Sequence, residues 1–598
     1  MLLGMNKIPY NNVMAKQKRT TKVDKQKDLA KLRHSVSHLL AEAVTNLYPD
    51  VKLGFGPATE DGFYYDFEFK KPISETDLPR IESEMIKLLK DKRVFKKSDK
   101  TVAQALNWAK KNNQPYKTEL IKELKKAGNK QIGFYTSGEF TDVCEGPHVK
   151  DSNEIKAFKL LSVAGAYWRG DEKNPQLVRI YGTAFKNQSD LDEYLLMIEE
   201  AKKRDHRVLG EQLDLFSFHP EGPGFPFWHP KGQFLFNKII EYMRGVLKEN
   251  NYQEISTPLV LNEELWHKSG HWDNYKDDMY FTKVDANNYA LKPMNCPGGV
   301  LVFGNTLRSY KELPLRMGEF GMVHRHELSG VLHGLFRVRS FTQDDAHVYC
   351  TEEQIKDEIK ALIRMIQKVY KDFGFNNYRI ELSTKPAKAI GSEAIWKKSE
   401  KIMKDVAKEE KLDIEINPGD GAFYGPKFDF HITDVLNRSW QLGTIQLDFS
   451  MPERLGVTYI DKDGKKKTPI MIHRAILGSL ERFIGILIEH YAGAFPYWLS
   501  PVQVAILPIS EQENKYANKV MQELESKNIQ VIIDDRNESL GRKIRDAEMQ
   551  KVPKMLIIGP KEVKAKSVTI RDFEKGDLGS KKLDLAIKEL TDFKSPIK

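Results

Sequence analysis

The spacing of apolar residues predicts an alternation of helices and strands in the first part of the chain. In LAKLRHSVSHLLAEAVTNLY, which begins at Leu29, apolar residues recur at every third or fourth position, the period of a helix. The runs GFYYDFEF and LVRIYGTAF read as strands, with the helical LPRIESEMIKLLKD between them. This order predicts an α+β domain over residues 28–186. The strongly charged segment that follows predicts a linker helix over residues 187–209.

Two other patterns fill the rest of the chain. In the region 210–498 the segments FDFHITDV and WQLGTIQLDF alternate apolar and polar residues, which is typical of an antiparallel sheet with one buried face. In the region 499–598 short strands such as VQVAILPI and KMLIIGP alternate with helical segments, which indicates a compact α/β domain. The fold class that we predict is therefore multidomain α+β, preceded by a basic flexible tail over residues 1–27.

Composition narrows the class of protein. A chain of 598 residues is too long for one core. Its three cysteines argue against a disulfide framework and favour a reducing compartment, so we expect a cytoplasmic protein. The most apolar stretch, AILGSLERFIGILIEHYAGAF, contains Glu481, Arg482 and Glu489, which predicts a buried amphipathic helix and no membrane span. A net charge of +10 permits a polyanionic partner without requiring one.

Three residues far apart in the chain form a candidate metal set. Cys296, His347 and His473 occur in LKPMNCPG, FTQDDAHVYC and MIHRAILGSLERF. One thiolate and two imidazoles suit zinc, and three protein ligands leave a coordination position open for a substrate. Their separation carries no spacing signature, so a buried cysteine and two ordinary histidines remain the alternative at this point.

A second candidate site is built from charged residues. Arg325 and Glu327 in FGMVHRHELSG share one face of a strand, where they can hold a phosphate and an adenine amine together. Phe341 offers a stacking face, and Arg482 in GSLERFIG adds a second cation. Taken alone, an arginine and a glutamate at this spacing are usually a surface ion pair.

The N-terminal region contains a third candidate set. His34 and His38 are four residues apart and share a face of the predicted helix, while Cys144 and His148 lie in the turn-rich TDVCEGPHVKD. These four residues suit a metal site or a hydrolytic site, and the sequence leaves both open. Ser35 argues against a zinc peptidase, because it stands where the HExxH motif of such an enzyme carries glutamate.

The central region resembles the class II aminoacyl-tRNA synthetases. YQEISTPLV, with Pro258, matches motif 1, the Arg325–Glu327 pair belongs to motif 2, and GSLERF matches motif 3, all in the family order. Within this class, LKPMNCPG, GLFRVRSFTQDDAH, GAFYGPKFDF and WQLGTIQLDF resemble the threonyl-tRNA synthetase family, and the resemblance extends from about residue 28 to the C-terminal region.

The resemblance implies ATP with Mg²⁺ and one zinc ion per subunit, the zinc held by Cys296, His347 and His473. It places Arg325, Glu327, Arg337, Phe341, Gln343, Gln441 and Arg482 around ATP, with Glu327 receiving the adenine amine. It assigns catalysis to Arg325, Arg482, Tyr424 and Gln446, with Tyr424, Gln441 and Gln446 near the amino acid or the tRNA end. Asp345 is expected to steady a ligand or the substrate amine.

One residue departs from the family pattern. The family usually has histidine after MNCPG, and this chain has Gly299. The three zinc ligands remain, so we expect activity, with substrate affinity altered by the lost hydrogen-bonding group.

The implied chemistry calls for a second site. Zinc that binds a hydroxyl rejects valine, but serine lacks only a methyl group, a difference of roughly 1–3 kcal/mol. The N-terminal region resembles the editing domain shared with alanyl-tRNA synthetase, which implies hydrolysis of seryl-tRNA(Thr). The implied editing residues are His34, His38, Lys117, Asp142, Cys144 and His148, together with Tyr65. The resemblance favours a metal-free pocket, and zinc there is the alternative.

The C-terminal region resembles the anticodon-binding domain of the glycyl, histidyl, prolyl and threonyl synthetases. It implies base reading by Asn537, Arg545, Glu562 and Arg571, whose polar groups suit splayed bases. The alternative is that Arg545 and Arg571 contact solvent or phosphate. Fewer than about 30 residues precede the editing helix, too few for the small ubiquitin-like domain with which the family often begins.

These observations favour an ATP-dependent threonine–tRNA ligase with proofreading, whose partners are tRNA(Thr) and a second copy of the chain bound through motif 1. Three alternatives remain: a tRNA-binding regulator without catalysis, a free-standing deacylase and a related ligase that uses serine. The intact Arg325, Glu327 and Arg482 argue against the regulator.

Overall fold

The computed structural model of the protein describes residues 18–59, 61–171, 173–435 and 438–592, with side chains from residue 27 onward. It consists of two compact units, Met1–Glu199 and Glu200–Lys598. The prediction of a flexible tail is wrong for residues 18–27, which are helical, because the helix extends upstream of the apolar pattern that marked its start. Residues 1–17 lie outside the described residues.

The N-terminal unit is an α+β structure with two antiparallel sheets. Its helices are α1 (Lys18–Leu47), α2 (Leu78–Lys90), α3 (Val102–Lys111), α4 (Pro115–Lys126) and α5 (Gln188–Arg204). Its strands are β1 (Lys52–Leu53), β2 (Phe63–Glu68), β3 (Lys96–Thr101), β4 (Gln131–Ser137), β5 (Phe140–Val143), β6 (Ala157–Tyr167) and β7 (Gln176–Phe185). One sheet has the order β1-β2-β7-β6 and the other β3-β4-β5. The apolar face of α1 packs against α2, β2 and β7.

The segment predicted as a single linker helix is broken. Helix α5 ends at Arg204, and α6 (His206–Gln212) begins after Asp205, whose side chain accepts a hydrogen bond from the Arg207 backbone N–H. The prediction of one helix was wrong because aspartate at this position satisfies the free N–H groups of a new helix instead of continuing the old one. The boundary between the two units lies within α5.

The central part of the second unit is built on one large sheet. Its further helices are α7 (Pro230–Glu249), α8 (Glu263–Ser269), α9 (Trp272–Tyr275), α10 (Cys296–Gly304), α11 (Ile355–Asp372), α12 (Glu393–Glu409), α13 (Met451–Arg454) and α14 (Leu480–Tyr491). Its strands are β8 (Phe216–Ser217), β9 (Phe227–Trp228), β10 (Gln253–Glu254), β11 (Val260–Asn262), β12 (Phe281–Val284), β13 (Asn287–Leu291), β14 (Arg308–Ser309), β15 (Leu315–His324), β16 (Ser340–Cys350), β17 (Tyr378–Ser383), β18 (Ile414–Asn417), β19 (Lys427–Thr433), β20 (Ser439–Asp448), β21 (Tyr459–Ile460), β22 (Lys466–Lys467) and β23 (Ile470–Ser479).

The large sheet has eight strands in the order β10-β15-β16-β23-β20-β19-β17-β18. The six central strands pair antiparallel, and only the two edge strands pair parallel. This confirms the antiparallel sheet expected from FDFHITDV and WQLGTIQLDF, which form β19 and β20. Helices α7, α11 and α14 contribute their apolar residues to the core against this sheet.

The apolar stretch predicted as one amphipathic helix contains the end of a strand. Ala475–Ser479 belongs to β23, and α14 begins only at Leu480. Strand β23 is buried on both faces along most of its length, so its sequence lacks the alternation of apolar and polar residues that marks a half-exposed strand. Within the described ranges, every helix is too short or too polar to span a bilayer.

A buried ion pair fixes the segment that leads to α10. The Nζ atom of Lys292 lies 2.9 Å from Oε1 of Glu319, and both side chains are at most 5% exposed. Both groups also hydrogen-bond to Thr257, next to the motif 1 proline. Losing one partner of a buried pair costs about 3–5 kcal/mol, so the three segments are held together firmly.

The C-terminal part of the second unit is the predicted α/β structure. Its helices are α15 (Asn514–Glu525), α16 (Leu540–Met549), α17 (Pro560–Ala565) and α18 (Leu583–Thr591), and its strands are β24 (Val504–Pro508), β25 (Val531–Ile533), β26 (Lys554–Ile558), β27 (Ser567–Asp572) and β28 (Gly576–Lys582). The sheet order is β25-β24-β26-β27-β28, parallel among the first three strands and antiparallel beyond them.

Candidate functional site

The three predicted metal ligands lie close together, because two are paired across neighbouring strands and the third begins a helix beside them. Cys296 is the first residue of α10, His347 lies on β16 and His473 lies on β23, and the two histidines are direct cross-strand partners. One donor atom from each of the three residues lies within 4.8 Å of the others. All three side chains are buried, with at most 6% exposed.

Two ring nitrogens of this cluster are buried without a hydrogen-bond partner among the described residues. Asp448 Oδ2 lies 3.0 Å from Nε2 of His473, which orients that ring and leaves its Nδ1 without a hydrogen-bond partner among the described residues. Nε2 of His347 is likewise buried and unpaired there, 3.7 Å from Asp345 Oδ1. Buried polar atoms are costly when unpaired, so these nitrogens and the thiol fit a bound cation.

The electrostatics of the cluster agree with this fit. Burial raises the pKa of the Cys296 thiol well above its ordinary value, and Asp345 and Asp448 raise it further. Burial lowers the pKa of His347, and the neighbouring His473 adds to the effect, so the ring is a neutral donor. A thiolate and neutral imidazoles are the ligands that zinc prefers, and a cation would offset the cost of burying the thiolate.

Asp448 is a site residue that the sequence reasoning missed. It lies on β20, two positions beyond Gln446 on the same face, so the alternation in WQLGTIQLDF contained the signal. Asp345 was expected to steady a ligand or the substrate amine. Burial raises its pKa to about 6, and Asn295 donates a hydrogen bond to it over 3.2 Å.

A cavity of about 460 Å³ opens on the face formed by β16, β20 and β23. All seven residues that the resemblance implied around ATP line it: Arg325, Glu327, Arg337, Phe341, Gln343, Gln441 and Arg482. Gln446 lines it as well, together with Phe336, Thr444 and Ser479, which the sequence reasoning did not single out. The structure therefore gathers residues from four separate segments around one cavity.

The cavity is electrostatically suited to an anion. Burial lowers the pKa of Arg482, and the charges of Arg337 and Arg325 lower it further, which shows that the three cations face one another. Glu327 accepts a hydrogen bond from Arg337 over 2.9 Å, and the Arg325 guanidinium lies 5.2 Å from the centre of the Phe341 ring. Three cations against one carboxylate leave a net positive charge, which attracts phosphate groups.

Tyr424 and Gln446 connect the cavity with the cysteine–histidine cluster. Gln446 is the cross-strand partner of His473 and accepts a hydrogen bond from the Tyr424 hydroxyl. The Tyr424 ring is stacked on His473 with centroids 4.7 Å apart. A molecule in the cavity that reaches past Gln446 therefore meets the metal set.

Gly299 lies beside the same cluster. A Cβ atom at this position would be 3.2 Å from Nδ1 of His347 and 3.6 Å from the Tyr349 hydroxyl. That hydroxyl is buried and has no hydrogen-bond partner among the described residues. The histidine expected here from the family pattern would thus contact both groups, and its absence removes a polar neighbour from one ligand.

The N-terminal unit brings its predicted cluster together in the same way. Donor atoms of His34, His38, Cys144 and His148 all lie within 4.8 Å of one another. The Cys144 sulfur is 3.3 Å from Nε2 of His34 and 3.2 Å from Nε2 of His148. The outer nitrogens are held by Pro147 O and by the Ser35 hydroxyl. The arrangement thus suits a cation or a positioned water molecule.

Lys117 and Asp142 form a buried pair beside this cluster. Their charged atoms are 2.6 Å apart, both side chains are 2% exposed, and the Tyr65 hydroxyl donates a hydrogen bond to Asp142. Burial lowers the pKa of His34, and it lowers that of His148 to about 2, so these rings are neutral near pH 7. All six implied editing residues, with Tyr65, are therefore gathered in one cluster of side chains.

The implied anticodon residues differ in their surroundings. Asn537, in the loop before α16, and Arg545, on α16, are both exposed. Glu562 accepts hydrogen bonds from the Gly559 backbone and from Thr569, and so caps α17. Arg571 donates to Glu548 over 3.1 Å. Two of the four side chains are thus open to a ligand, and two are engaged inside the protein.

Comparison with known proteins places these sites in context. The models that match are the tRNA synthetase class II core domain (G, H, P, S and T) over residues 280–491, the anticodon binding domain over 503–593 and the threonyl and alanyl tRNA synthetase second additional domain over 132–181. The threonine–tRNA ligase of Acetivibrio thermocellus is 55% identical over 552 residues, which cover 92% of this chain and 86% of the relative. That of Clostridium tetani is 54% identical over 549 residues, covering 92% and 85%.

This chain belongs to the threonine–tRNA ligase family. A solved structure described as the RNA binding domain of threonyl-tRNA synthetase from Cryptosporidium parvum Iowa II is 40% identical, with a TM-score of 0.64 over 66% of this chain and 99% of that chain. Class II synthetases generally use ATP with Mg²⁺, and the family acts on an amino acid and tRNA.

The pocket of the N-terminal unit generates a test that separates a neutral thiol from a metal-bound thiolate. Burial raises the pKa of Cys144 to about 11. In the ligase as purified, a neutral thiol predicts that the thiolate fraction, and with it the rate of alkylation by iodoacetamide, rises about tenfold per pH unit from about pH 8 to pH 10 and that a chelator leaves this rate unchanged. Peptide mass spectrometry measures the rate at Cys144, and the unfolded chain, whose thiols titrate near 8.5, serves as control. A rate that stays constant over this range would contradict a neutral thiol.

Proposed function

We propose that this chain activates threonine with ATP, transfers it to tRNA(Thr), and hydrolyses seryl-tRNA(Thr) in its N-terminal unit. The observation that carries the proposal is the junction at Gln446, where the arginine-lined cavity meets the cluster of Cys296, His347 and His473. An anion-binding cavity beside three metal-binding side chains is what activation of a hydroxylated amino acid by a nucleotide needs.

In the activation step the threonine carboxylate attacks the α-phosphorus of ATP and pyrophosphate leaves. Arg325 and Arg482 supply fixed positive charge for the oxygens of the α-phosphate, where negative charge develops in the transition state. Glu327 receives the adenine amine, and Arg337, its present partner, turns to the outer phosphates. Phe341 provides the face on which the adenine stacks. Mg²⁺ accompanies the ATP as its counterion.

The amino acid is selected beside the cavity. Cys296, His347 and His473 would hold one zinc ion, which supplies a Lewis-acid contact for an amine and a hydroxyl. Asp448 holds the His473 ring in the orientation that turns Nδ1 toward the cluster. Tyr424 and Gln446 line the approach and contact the bound amino acid or the end of the tRNA. The tRNA hydroxyl then attacks the carbonyl, and AMP leaves.

Hydrolysis of mischarged tRNA takes place in the pocket of the N-terminal unit. The neutral rings of His34, His38 and His148 can accept hydrogen bonds from a water molecule and orient it. The pair of Lys117 and Asp142 adds fixed charge to the wall of the pocket. Cys144 is protonated at neutral pH, so it acts as a hydrogen-bonding group and not as a nucleophile.

Two further surfaces complete the proposal. Asn537, which is exposed in the loop before α16, and Arg545, which is exposed on α16, read anticodon bases. Glu562 and Arg571 exchange their internal bonds for bases when tRNA binds. Motif 1 joins two copies of the chain. In support, Leu259 and Val260 of this segment are 37% and 45% exposed, and Phe281 and Val284 of the adjoining small sheet are 46% and 51% exposed.

Amino-acid-dependent exchange of pyrophosphate into ATP tests the activation. Threonine should support exchange, serine should be about 10–200-fold less efficient, and valine should be poorer still because it leaves a desolvated contact unfilled. Exchange with serine that exceeds exchange with threonine would assign the chain to a serine-using ligase instead. Absence of exchange with any amino acid would contradict the proposal.

The metal set is tested through a residue that supports it from outside. Asp448→Ala should weaken zinc binding by about 10–100-fold, because the His473 ring loses the contact that orients it. Competition with a chromophoric chelator measures the affinity. Cys350→Ser is the matched control, since Cys350 is a buried cysteine of β16 outside the cluster. Equal affinities of the two variants would rule out the assigned metal set.

Editing is tested at Cys144. Cys144→Ala should leave threonylation of tRNA unchanged and allow seryl-tRNA(Thr) to accumulate. The substitution removes the sulfur that contacts His34 and His148, the rings that would orient the water molecule. Thr141→Val is the control, since Thr141 lies on β5, the strand that ends just before Cys144, and its side chain points to the face opposite to that of Asp142. Acid-gel or chromatographic analysis of the charged tRNA gives the outcome. Loss of threonylation in the Cys144 variant would instead favour a free-standing deacylase.

A further inference from the structure

His206, at the start of α6, is completely buried and receives no role from the chemistry described so far. Its backbone N–H and its ring Nδ1 both reach Oε1 of Glu489, over 3.1 and 2.7 Å. The backbone N–H of Leu335 donates to the other ring nitrogen, Nε2, over 3.0 Å. Both sides of the ring are therefore engaged with segments that lie far away in the sequence.

These contacts define the protonation state of the ring. A nitrogen that accepts a hydrogen bond from a backbone N–H has a free lone pair, so Nε2 of His206 carries no proton. The single ring proton is then on Nδ1, where it is donated to Glu489. His206 thus acts as a neutral bridge with one donor and one acceptor.

The same contacts exclude a metal site here. Asp205, His206 and Glu489 have donor atoms within 4.8 Å of one another. However, both ring nitrogens of His206 are already used, and the second carboxylate oxygen of Glu489 pairs with Arg438. Asp205 accepts hydrogen bonds from Arg207. The group is internally satisfied, which points to a structural bridge.

The turn that His206 holds is built around its ring. Residues Gly334–Phe336 form a single 3-10 turn, and Gly334 has a φ of +48°. A Cβ atom on Gly334 would be 2.2 Å from Nε2 of His206, so only glycine leaves room for the imidazole. The Phe336 ring packs on His206 with centroids 4.1 Å apart.

This turn also forms one wall of the arginine-lined cavity. Phe336 lines the cavity, and its carbonyl oxygen accepts a hydrogen bond from Nε of Arg482 over 3.0 Å. Arg337 follows directly in the chain. Arg482 and Glu489 both belong to α14, about two helical turns apart. The His206 ring therefore connects the turn to the same helix that carries Arg482.

We propose that His206 is a positioning residue for ATP: its neutral imidazole fastens the Gly334–Phe336 turn to α14 and so holds Arg337 and Arg482 around the phosphates. The inference rests on the proposed function of the cavity. It also makes α6, which follows the boundary between the two units in the chain, a support of the nucleotide site.

Two substitutions separate the two halves of the bridge. The asparagine side-chain amide of His206→Asn reaches the position of Nδ1 and can donate to Glu489, but it leaves the Leu335 N–H without an acceptor. The glutamine amide of His206→Gln reaches the position of Nε2 and can accept from Leu335, but it loses the bond to Glu489. A buried donor without a partner is costly, whereas the second substitution preserves the turn.

The measurement is the KM for ATP in threonine-dependent pyrophosphate exchange. In His206→Asn the KM for ATP should rise about tenfold, with the KM for threonine within about twofold of the unsubstituted protein, as expected from one lost buried hydrogen bond. His206→Gln should restore the KM for ATP to within about twofold. His490→Asn and His490→Gln, at the neighbouring position of α14, are matched controls and should leave both constants unchanged.

A purely structural role predicts a different result. It would lower the melting temperature of both His206 variants and alter the KM for ATP equally in both, or in neither, and either result would overturn the proposal. If His206→Asn does not fold, Gly334→Ala provides the test, since its methyl group displaces the turn while His206 stays intact.

Direct ATP binding by calorimetry keeps this inference separate from the proposed function. If the unsubstituted protein binds ATP but exchanges no pyrophosphate, the proposed function fails, and the ratio of ATP dissociation constants between the Asn and Gln variants still decides the role of His206. A ratio near one overturns it.

Discussion

The register of three antiparallel strands is the constraint on which the central site depends. Strands β16, β23 and β20 pair so that His347 lies opposite His473, and His473 lies opposite Gln446. Successive side chains on a strand point to opposite faces, so a slip of one residue would turn each of these groups away from the others. The buried apolar residues of the same strands fix the register, which means that core packing determines the geometry of the chemistry.

Burial has the same electrostatic effect in both units. It lowers the pKa of His347 in the central cluster and of His34 and His148 in the N-terminal pocket, and it raises the pKa of both cluster cysteines. The imidazoles are therefore neutral donors of a lone pair near pH 7. In the central cluster, Asp448 orients the His473 ring through Nε2, and Nδ1 of the same ring has no hydrogen-bond partner among the described residues. Such a nitrogen is available to a metal ion. In the N-terminal pocket the outer nitrogens are held in the same manner, and the inner ones face the sulfur.

The two pockets suit a division of labour in a threonine–tRNA ligase. A site that binds a hydroxyl discriminates well against an isostere without one, but it discriminates weakly against a smaller amino acid that keeps the hydroxyl. In this family the mischarged product is removed by hydrolysis in the second additional domain, which corresponds to the N-terminal unit. The turn that forms one wall of the arginine-lined cavity is held by His206 of α6, which in turn is bonded to Glu489 of α14.

The sequence by itself determined which charged residues belong to the cavity and which residues form the two cysteine–histidine clusters, and it determined most of the helices and strands. The motifs identified the charged residues that line the cavity and the members of both clusters, and periodicity identified the strands β19 and β20 and the helix α1. The tertiary structure alone decided which groups support them. Asp448 and His206 act through partners 25 and 283 residues away. Strand alternation places Asp448 on the face of Gln446 but does not reveal its contact with His473, and His206 has no local signature. The helix break at Asp205 and the strand Ala475–Ser479 were likewise missed, because capping and two-sided burial override local periodicity. Long-range pairing is set by packing of the whole core, which no window of the sequence contains.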